Sequence, residues 1–230
     1  MKIIWLGHSS FRIEIEDQIL LIDPWLAGNP SFAQEDRAKA TQGATAIFLS
    51  HGHGDHASTA VEIAKEADLT IYCIHELAAW VEAQGAKAVG FGKGGTITLG
   101  SARVTMVNAV YSSSIDFGDG LPTYAGGEAG YIIRGEDHSI YFSGDTDVMA
   151  DMGVIADRYQ PDIGILSAGG HFTMDMEGAA YAARKFFNFA TLIPCHFGTF
   201  PALEQSTDAL VEALPGVSVV TPKVMEPITF

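Results

Sequence analysis

Short apolar runs separated by turn residues recur along the whole chain. The opening pattern predicts three strands, Lys2–Leu6, Phe11–Ile15 and Ile19–Ile22, broken at Gly7-His8-Ser9 and Glu16-Asp17. The same pattern predicts later strands at Ala46–Leu49, Thr70–Ile74, Thr96–Leu99, Arg103–Asn108, Tyr131–Arg134, Ser139–Phe142, Ile163–Leu166, Thr191–Pro194, Val217–Val220 and Glu226–Thr229. Helical spacing predicts helices at Ser58–Glu66, Glu76–Ala83, Val148–Arg158, Met176–Phe187 and Thr207–Leu214.

Two stretches lack a clear period. Asn29–Gly43 is polar and is predicted to form a loop or a weak helix. Ser112–Gly130 is rich in glycine and is predicted to be a long loop, either at an active site or on the surface. Around these stretches, each half of the chain runs strands first and then alternates helix with strand. This order predicts an α/β protein with two face-to-face β-sheets and helices outside them, the αββα layering, as one domain over residues 1–230.

Composition narrows the class of protein. Hydrophobic residues make up 47% of the chain and charged residues 18%, which is typical of a compact globular enzyme. The 28 Asp and Glu residues outnumber the 13 Lys and Arg residues, so long nucleic acid is disfavoured as a partner. A small-molecule substrate, including a small anion, is compatible with this charge, and a homo-oligomer stays open.

Location and cysteine usage add further expectations. No apolar run reaches the ~18–20 residues that span a bilayer, and the opening lacks the features of a signal peptide. We therefore expect no membrane association and a cytoplasmic protein. The two cysteines, Cys73 and Cys195, lie in apolar contexts and are predicted to be buried free thiols.

The strongest chemical signal is the run His51-Gly52-His53-Gly54-Asp55-His56, directly after the predicted strand Ala46–Leu49. It holds four side chains of metal-ligating type within six residues. The two glycines allow the backbone to turn sharply, so that these side chains can converge. Imidazoles with a carboxylate suit zinc, iron or manganese rather than calcium. The run therefore predicts a divalent metal site.

This H-x-H-x-D-H pattern resembles the signature of the metallo-β-lactamase superfamily. Other segments appear in the order that the superfamily shows: Trp5-Leu6-Gly7-His8-Ser9-Ser10, Leu21-Ile22-Asp23-Pro24, Ser143-Gly144-Asp145-Thr146, Phe172-Thr173-Met174 and Pro194-Cys195-His196-Phe197. From Met1 to Phe230 the chain is similar to a widespread bacterial family of metal-dependent hydrolases, related to the ascorbate-6-phosphate lactonase and N-acylphosphatidylethanolamine phospholipase D groups.

The resemblance implies an αββα sandwich and a ligand set. His51 and His53 would hold a first metal ion. A second ion would be held by Asp55, His56 and His196, with Asp145 bridging the two. Asp55 and Asp145 would also orient a metal-bound hydroxide for catalysis. Zinc is the first choice of cofactor, as one or two ions, with manganese and iron as alternatives.

Two positions depart from the family pattern. Tyr111 stands where the family has the remaining histidine of the first site, in a segment resembling Ala-x-His-Ser-Ser. A phenol ligates only when a cation lowers its pKa from about 10. His171 stands in Gly169–Met174, next to the position of a family carboxylate that this chain lacks. His171 either supplies the missing imidazole or faces solvent or substrate, and the second interpretation is favoured.

Two further residues have supporting roles to test. His8 is expected to orient substrate, to support a metal ligand, or to make one local hydrogen bond. Asp23 ends a predicted strand and either accepts the free N–H of a ligand histidine or caps a turn.

These observations predict a hydrolase that acts on a small ester, lactone, amide or phosphodiester. One alternative is an iron-dependent oxidoreductase on the same fold. Another is a non-enzymatic or weakly active metal-binding protein whose first site has degraded through Tyr111.

Overall fold

The computed structural model describes residues 1–116 and 120–230. The strands, in chain order, are β1 (Lys2–Trp5), β2 (Phe11–Ile15), β3 (Gln18–Ile22), β4 (Ala46–Phe48), β5 (Thr70–Ile74), β6 (Lys87–Phe91), β7 (Thr96–Leu99), β8 (Ala102–Asn108), β9 (Ser114–Asp116), β10 (Pro122–Tyr124), β11 (Ala129–Gly135), β12 (His138–Phe142), β13 (Ile163–Ser167), β14 (Thr191–Cys195), β15 (Ser218–Val219) and β16 (Pro227–Thr229). The helices are α1 (Arg37–Thr41), α2 (Gly54–Ala57), α3 (Ala60–Glu66), α4 (His75–Ala83), α5 (Asp151–Tyr159), α6 (Met176–Phe186) and α7 (Asp208–Ala213).

The long strands form two sheets of seven strands each. The first sheet has the order β16-β1-β2-β3-β4-β5-β6 and the second the order β15-β14-β13-β12-β11-β8-β7. In the first sheet the pairs from β16 to β3 are antiparallel and those from β3 to β6 parallel. The second sheet repeats this plan, antiparallel from β7 to β12 and parallel from β12 to β15.

Alternation along the strands places the sheets between two apolar cores. In β3, Leu20 and Ile22 belong to the main core, which joins both sheets and helices α5 and α6. Leu21, between them, points to a second core against helices α3 and α4. Successive side chains of a strand point to opposite faces, so one apolar strand serves both cores. The predicted αββα layering is confirmed.

Tyr131 ties the two sheets together close to the histidine run. Its hydroxyl donates a 2.6 Å hydrogen bond to the carbonyl oxygen of Leu49. Its ring meets Phe48 edge-on, with ring centroids 5.5 Å apart. The end of β4, where the chain enters the histidine run, is therefore fixed from the opposite sheet.

One predicted loop contains strands, and one strand was missed. The stretch Ser112–Gly130 contains the strands β9 and β10, which pair as a separate antiparallel hairpin. Strand β6 was not predicted at all. It is the edge of the first sheet and mostly exposed, so its sequence shows no apolar alternation. Its Gly90 allows close packing, because a Cβ there would lie 2.9 Å from the Cα of His75.

Helix boundaries differ from the predicted ones by more than one residue in two places. The predicted helix Ser58–Glu66 is interrupted before Ala60, where the Thr59 hydroxyl accepts hydrogen bonds from the backbone N–H groups of Leu26 and Ala27 at 3.1 and 3.2 Å. Helix α5 begins at Asp151, three residues later than predicted. The polar stretch 29–43 holds a 3-10 turn at Gln34–Asp36 and the short helix α1.

Two smaller expectations are also answered by the structure. Cys73 and Cys195 are buried and free, as predicted. Within residues 1–116 and 120–230, every helix is too short or too polar to cross a membrane.

Candidate metal centre

The candidate ligands lie just beyond the ends of strands from both sheets. In the first sheet, β1 leads to His8, β3 to Asp23 and β4 to His51. In the second sheet, β12 leads to Asp145 and β14 to His196. Side chains that are distant in sequence therefore meet at one edge of the sandwich.

The backbone at this edge is held in an unusual conformation. His8, Asp23 and His196 have φ values of +55°, +44° and +61°, in the left-handed region that non-glycine residues rarely adopt. Such conformations persist only where the surroundings enforce them, and they concentrate at functional sites. Gly169 is part of this enforcement, because a Cβ at that position would collide with the carbonyl oxygen of His196.

His56, Asp145 and His196 form the buried half of the centre. The Oδ2 atom of Asp145 lies 3.0 Å from Nε2 of His196 and 3.3 Å from Nε2 of His56. Burial alone would raise the pKa of Asp145, but the two imidazoles hold it well below its usual range. Burial opposes charge on His56, yet the carboxylates of Asp145 and Asp23 outweigh it and raise the pKa of His56. The cluster is therefore built around ionised carboxylates.

Asp23 fixes the orientation of two histidines. Its Oδ2 lies 2.9 Å from Nδ1 of His56 and accepts the hydroxyl of Ser50 at 2.5 Å. That Ser50 oxygen is 3.0 Å from Nδ1 of His51. A carboxylate only accepts, so His56 carries its proton on Nδ1; Ser50, having donated to Asp23, accepts from Nδ1 of His51. The Nε2 atoms of both histidines are thereby directed into the centre, and each carries a lone pair whenever its ring is neutral.

His8 lies behind Asp55. Its Nε2 is 3.1 Å from Oδ2 of Asp55, and its Nδ1 is 3.0 Å from the hydroxyl of Thr199. Burial lowers the pKa of His8 to about 4, so the ring is neutral at neutral pH. Nε2–H then donates to Asp55, and Nδ1 accepts from Thr199. Burial disfavours the charge on Asp55, but this hydrogen bond and the neighbouring His56 keep its pKa below the usual range.

His51 and His53 form the more open half. Nε2 of His51 lies 3.0 Å from Nδ1 of His53. Burial, with the neighbouring charge of His56, lowers the pKa of His51 well below its usual value. Burial also lowers the pKa of His53, which is only half-buried. Two neutral imidazoles thus face each other at hydrogen-bonding distance.

The donor set fits a bound cation. Three buried atoms of the centre have no hydrogen-bond partner among the described residues: Nε2 of His56, Oδ1 of Asp145 and Nδ1 of His196. Burying such an atom unsatisfied costs about 1–3 kcal/mol. One ligand atom from each of His8, Asp55, His56 and His196 can be chosen so that all lie within 4.8 Å of one another. Imidazole and carboxylate donors at this spacing are those that zinc, iron and manganese take in proteins.

The two departures from the family pattern have different outcomes. The ring of Tyr111 lies 5.6 Å from the rings of both His51 and His53, measured between centroids. Burial and the negative charges of Asp145 and Asp55 raise the pKa of its phenol, which keeps it protonated. His171 is exposed, and its ring packs 4.5 Å from that of its neighbour Phe172. The structure brings Tyr111 to the histidines, and it gives His171 no contact with them.

Sequence reasoning did not single out Ser50, Thr199 or Glu128. Ser50 directly precedes the histidine run, which was the available signal. Thr199 lies 191 residues from His8, and only the fold joins the two. Glu128, half-buried, accepts a 3.1 Å hydrogen bond from the backbone N–H of Tyr111 through Oε1.

A cavity of about 480 Å³ opens beside His53. Its lining includes Trp80 of α4 and Ile115 and Pro122 of the β9–β10 hairpin. A larger cavity of about 630 Å³ lies between α5 and the end of α6 and contains none of the residues described above. The cavity beside His53 borders the histidine run directly, since Gly52, His53 and Gly54 are among its lining residues.

Comparison with known proteins places this geometry in a class. Residues 18–197 match the family model described as "Beta-lactamase superfamily domain". The structure is similar to that of Igni18, a metallo hydrolase from the archaeon Ignicoccus hospitalis, with a TM-score of 0.87 and 29% identity over 100% of this chain and 97% of that one.

Curated relatives narrow the class to one family. A UPF0173 metal-dependent hydrolase of Cereibacter sphaeroides is 60% identical over 100% of both chains. Another, from Dinoroseobacter shibae, is 59% identical over 99% of both. The chain belongs to the UPF0173 family of metal-dependent hydrolases within the metallo-β-lactamase superfamily.

Proposed function

We propose that this enzyme hydrolyses a small ester, lactone, amide or phosphodiester with the help of one or two divalent ions, zinc by preference. The observation that carries the proposal is that Nε2 of His56 and Oδ1 of Asp145 are buried without protein partners, in a cluster where Asp23 orients the ring of His56 and Ser50 that of His51. An ion pair that served only the fold would be expected to satisfy these buried atoms with protein partners.

The residues divide into two ligand sets. His56, His196 and Asp55 would hold one ion, His51 and His53 the other, and Asp145 lies between them. When bound, such a cation supplies a water of lowered pKa and polarises the bond under attack. The alternative of a metal-binding protein without activity rests on Tyr111, which alters only the His51 and His53 half.

Asp55 and Asp145 are held differently, and this determines what each carboxylate can do. His8 occupies Oδ2 of Asp55 and holds that side chain in one orientation. Asp145 has Oδ1 without a protein partner, and its depressed pKa keeps it ionised. Both carboxylates can therefore accept a hydrogen bond from the attacking water and orient it. The phenol of Tyr111 stays protonated and is suited to donate a hydrogen bond to substrate.

The cavity beside His53 is the proposed substrate site, and its lining bears on substrate charge. Trp80, Ile115 and Pro122 offer apolar surface, and Asp116 adds a negative charge. Among the described lining residues there is no lysine or arginine. We therefore favour a neutral substrate with an apolar part over the small anion that composition alone would allow.

A metal-exchange assay tests the proposal. The protein is stripped with a chelator and reloaded separately with Zn²⁺, Mn²⁺ or Fe²⁺. Each form is then assayed on p-nitrophenyl acetate, bis(p-nitrophenyl) phosphate, a chromogenic β-lactam and a γ-lactone. Hydrolysis that is lost on stripping and restored by one ion is the expected result.

Oxygen consumption by the iron form is measured in parallel. Turnover of oxygen without hydrolysis would favour the oxidoreductase alternative. Tight metal binding with no turnover of any probe would favour the non-enzymatic alternative.

A further inference from the structure

Helix α5 carries a stripe of side chains that the proposed hydrolysis does not use. Four of its residues, spaced three or four apart, lie on one side of the helix: Asp151, Val154, Ile155 and Arg158. All four line a cavity of about 250 Å³ between α5 and strand β8. Ile155 is buried, whereas Val154 is 66% exposed. The stripe thus has an apolar centre, a carboxylate at one end and a guanidinium at the other.

The end of the stripe at Arg158 is part of a cluster of positive charge. The guanidinium carbons of Arg158 and Arg134 lie 5.2 and 5.3 Å from the centroid of the Tyr159 ring. Arg103 is the cross-strand partner of Arg134, so these two side chains share one face of the second sheet.

This arginine cluster lacks counterions. In the part of the chain that the structure describes, none of its three arginines forms an ion pair, although Asp and Glu outnumber Lys and Arg by 28 to 13. Like charges directly opposite each other destabilise a sheet. The cluster is therefore suited to a carboxylate that comes from another molecule.

The other end of the stripe offers such a carboxylate. Oδ2 of Asp151 accepts a 2.7 Å hydrogen bond from Nδ2 of Asn108, which holds the side chain in place. Asp151 is exposed and pairs with no lysine, arginine or histidine among the described residues. It lies seven residues before Arg158, which is about two helical turns.

The order of charges along the stripe is self-complementary. A second copy of α5, antiparallel to the first about a two-fold axis between Val154 and Ile155, brings Asp151 of each copy opposite Arg158 of the other. The exposed Val154 of both copies then lies at the axis. A small anion, by contrast, would use only the arginine end and would leave Val154 and Asp151 exposed.

We propose that this face of α5 is the interface of a two-fold homodimer, held by two Asp151–Arg158 ion pairs around Val154. Two-fold interfaces, in which the same surface of both subunits meets, are the commonest in homo-oligomers. Arginine and tyrosine, which the cluster at Tyr159 supplies, are enriched among the residues that dominate binding at protein interfaces. The inference is independent of the metal centre.

Sedimentation equilibrium at micromolar protein concentration tests the interface. The measurement is made in about 0.15 M salt, where the Debye length of about 8 Å screens the mutual repulsion of two acidic chains more than it screens side chains in contact. Wild type should be a dimer. Arg158→Asp and Asp151→Arg each place like charges across the axis, so each should raise the dimer dissociation constant by about a hundredfold and sediment as a monomer.

Complementation between the two variants tests the two-fold pairing itself. In an equimolar mixture of Arg158→Asp and Asp151→Arg, both pairs across the axis again join opposite charges, so heterodimers should form. The double variant Asp151→Arg/Arg158→Asp should also be a dimer. Docking of Arg158 on a different surface of the second copy would give neither restoration.

Two controls make the same changes of charge outside the stripe. Asp157→Arg and Lys185→Asp alter exposed residues that line the other cavity beside α5, and both should remain dimers. Circular dichroism confirms that all variants fold. A monomeric wild type would overturn the proposal, as would dimers that persist in both single variants, or monomers in both the mixture and the double variant.

Discussion

The two halves of the centre differ in burial and in how firmly their side chains are held. His56, Asp145 and His196 are almost fully buried, and each is fixed by a partner from another strand end. His53 and Tyr111 are half-buried and border a cavity. A group with no freedom to move loses little entropy on binding a ligand, so the buried half is preorganised for its ion. The open half can exchange a ligand type during evolution without disturbing the core.

The two halves also differ in charge, because more carboxylates surround the buried half. Asp55 and Asp145 contact the buried half directly, with Asp23 behind it. The open half has two neutral imidazoles and shares the charges of Asp55 and Asp145 without holding a carboxylate of its own. A divalent ion is therefore stabilised more strongly beside His56 and His196 than beside His51 and His53. The departure at Tyr111 falls in the weaker half, where its cost is smaller.

The largest effect that this comparison predicts is that of His196→Ala. Removing this imidazole takes away a ligand and leaves Asp145 with one fewer neighbour in a buried site. We expect the ion of the buried half to be lost and hydrolysis to fall to background, with the fold retained by circular dichroism. The matched control is His171→Ala, an exposed histidine on a loop that also follows a strand of the second sheet. Unchanged metal content in His196→Ala would show that His196 is not a ligand.

Asp23→Asn should have the next largest effect, and it should reach both halves. The asparagine has one acceptor oxygen, so it cannot accept from Ser50 and His56 as the carboxylate does. Loss of such an outer partner typically costs 10–100-fold in metal affinity or activity, and we expect about that range here. Competition with a chromogenic chelator measures the affinity of each ion.

Asp162→Asn provides the control for Asp23→Asn. Asp162 also pairs with a histidine, His138, at 2.6 Å, but the pair is partly exposed and lies outside the centre. Its replacement should leave both affinities unchanged. If Asp23→Asn weakens the binding of only the ion beside His56, the chain of hydrogen bonds from Asp23 through Ser50 to His51 does not affect metal binding.

His8→Asn should have a smaller effect, which falls on the buried half alone. Asparagine tolerates the left-handed backbone at this position, so the test isolates the lost hydrogen bond to Asp55. We expect a loss of about tenfold in kcat, at the low end for an outer partner, with KM nearly unchanged. Thr199→Val removes only the donor to Nδ1 of His8 and should cost less. A larger loss in Thr199→Val than in His8→Asn would contradict this arrangement.

The sequence predicted the strands that show a regular apolar pattern and the candidate ligands that are neighbours in the chain. Strands such as β2 and β3 alternate or run apolar because they face buried cores, and the pattern of apolar residues records this directly. Strand β6 and the β9–β10 hairpin lie at exposed edges, where burial imposes no pattern. The run His51–His56 is read from sequence because its ligands are neighbours.

Other parts of the centre depend on the register between distant segments. Asp145 and His196 were assigned only through resemblance, since each alone has an ordinary structural explanation. The hydrogen bond between the backbone N–H of Ala129 and the carbonyl oxygen of Ser50 joins the end of one sheet to the other. Nothing in the local sequence of a glycine-rich segment records that contact. The path from Asp23 through Ser50 to His51 likewise exists only once strands β3 and β4 are paired.

The smallest expected effect concerns substrate choice at the open half, through Trp80. This side chain lines the cavity beside His53 together with Ile115, and it makes no contact with the buried ligands in the described structure. Trp80→Ala should therefore leave metal content unchanged and weaken the apolar part of substrate binding. With p-nitrophenyl hexanoate and p-nitrophenyl acetate as probes, wild type should favour the longer ester in kcat/KM. The variant should lose most of that preference, roughly tenfold, since apolar contacts in a pocket are worth about 1–3 kcal/mol.

Two control variants accompany Trp80→Ala. Trp80→Phe keeps an aromatic surface and should retain most of the preference. Tyr124→Ala removes a 71% exposed aromatic side chain of the β9–β10 hairpin and should not alter the preference. If wild type shows no preference between the two esters, or if Trp80→Ala lowers both rates equally, the substrate does not lie in this cavity.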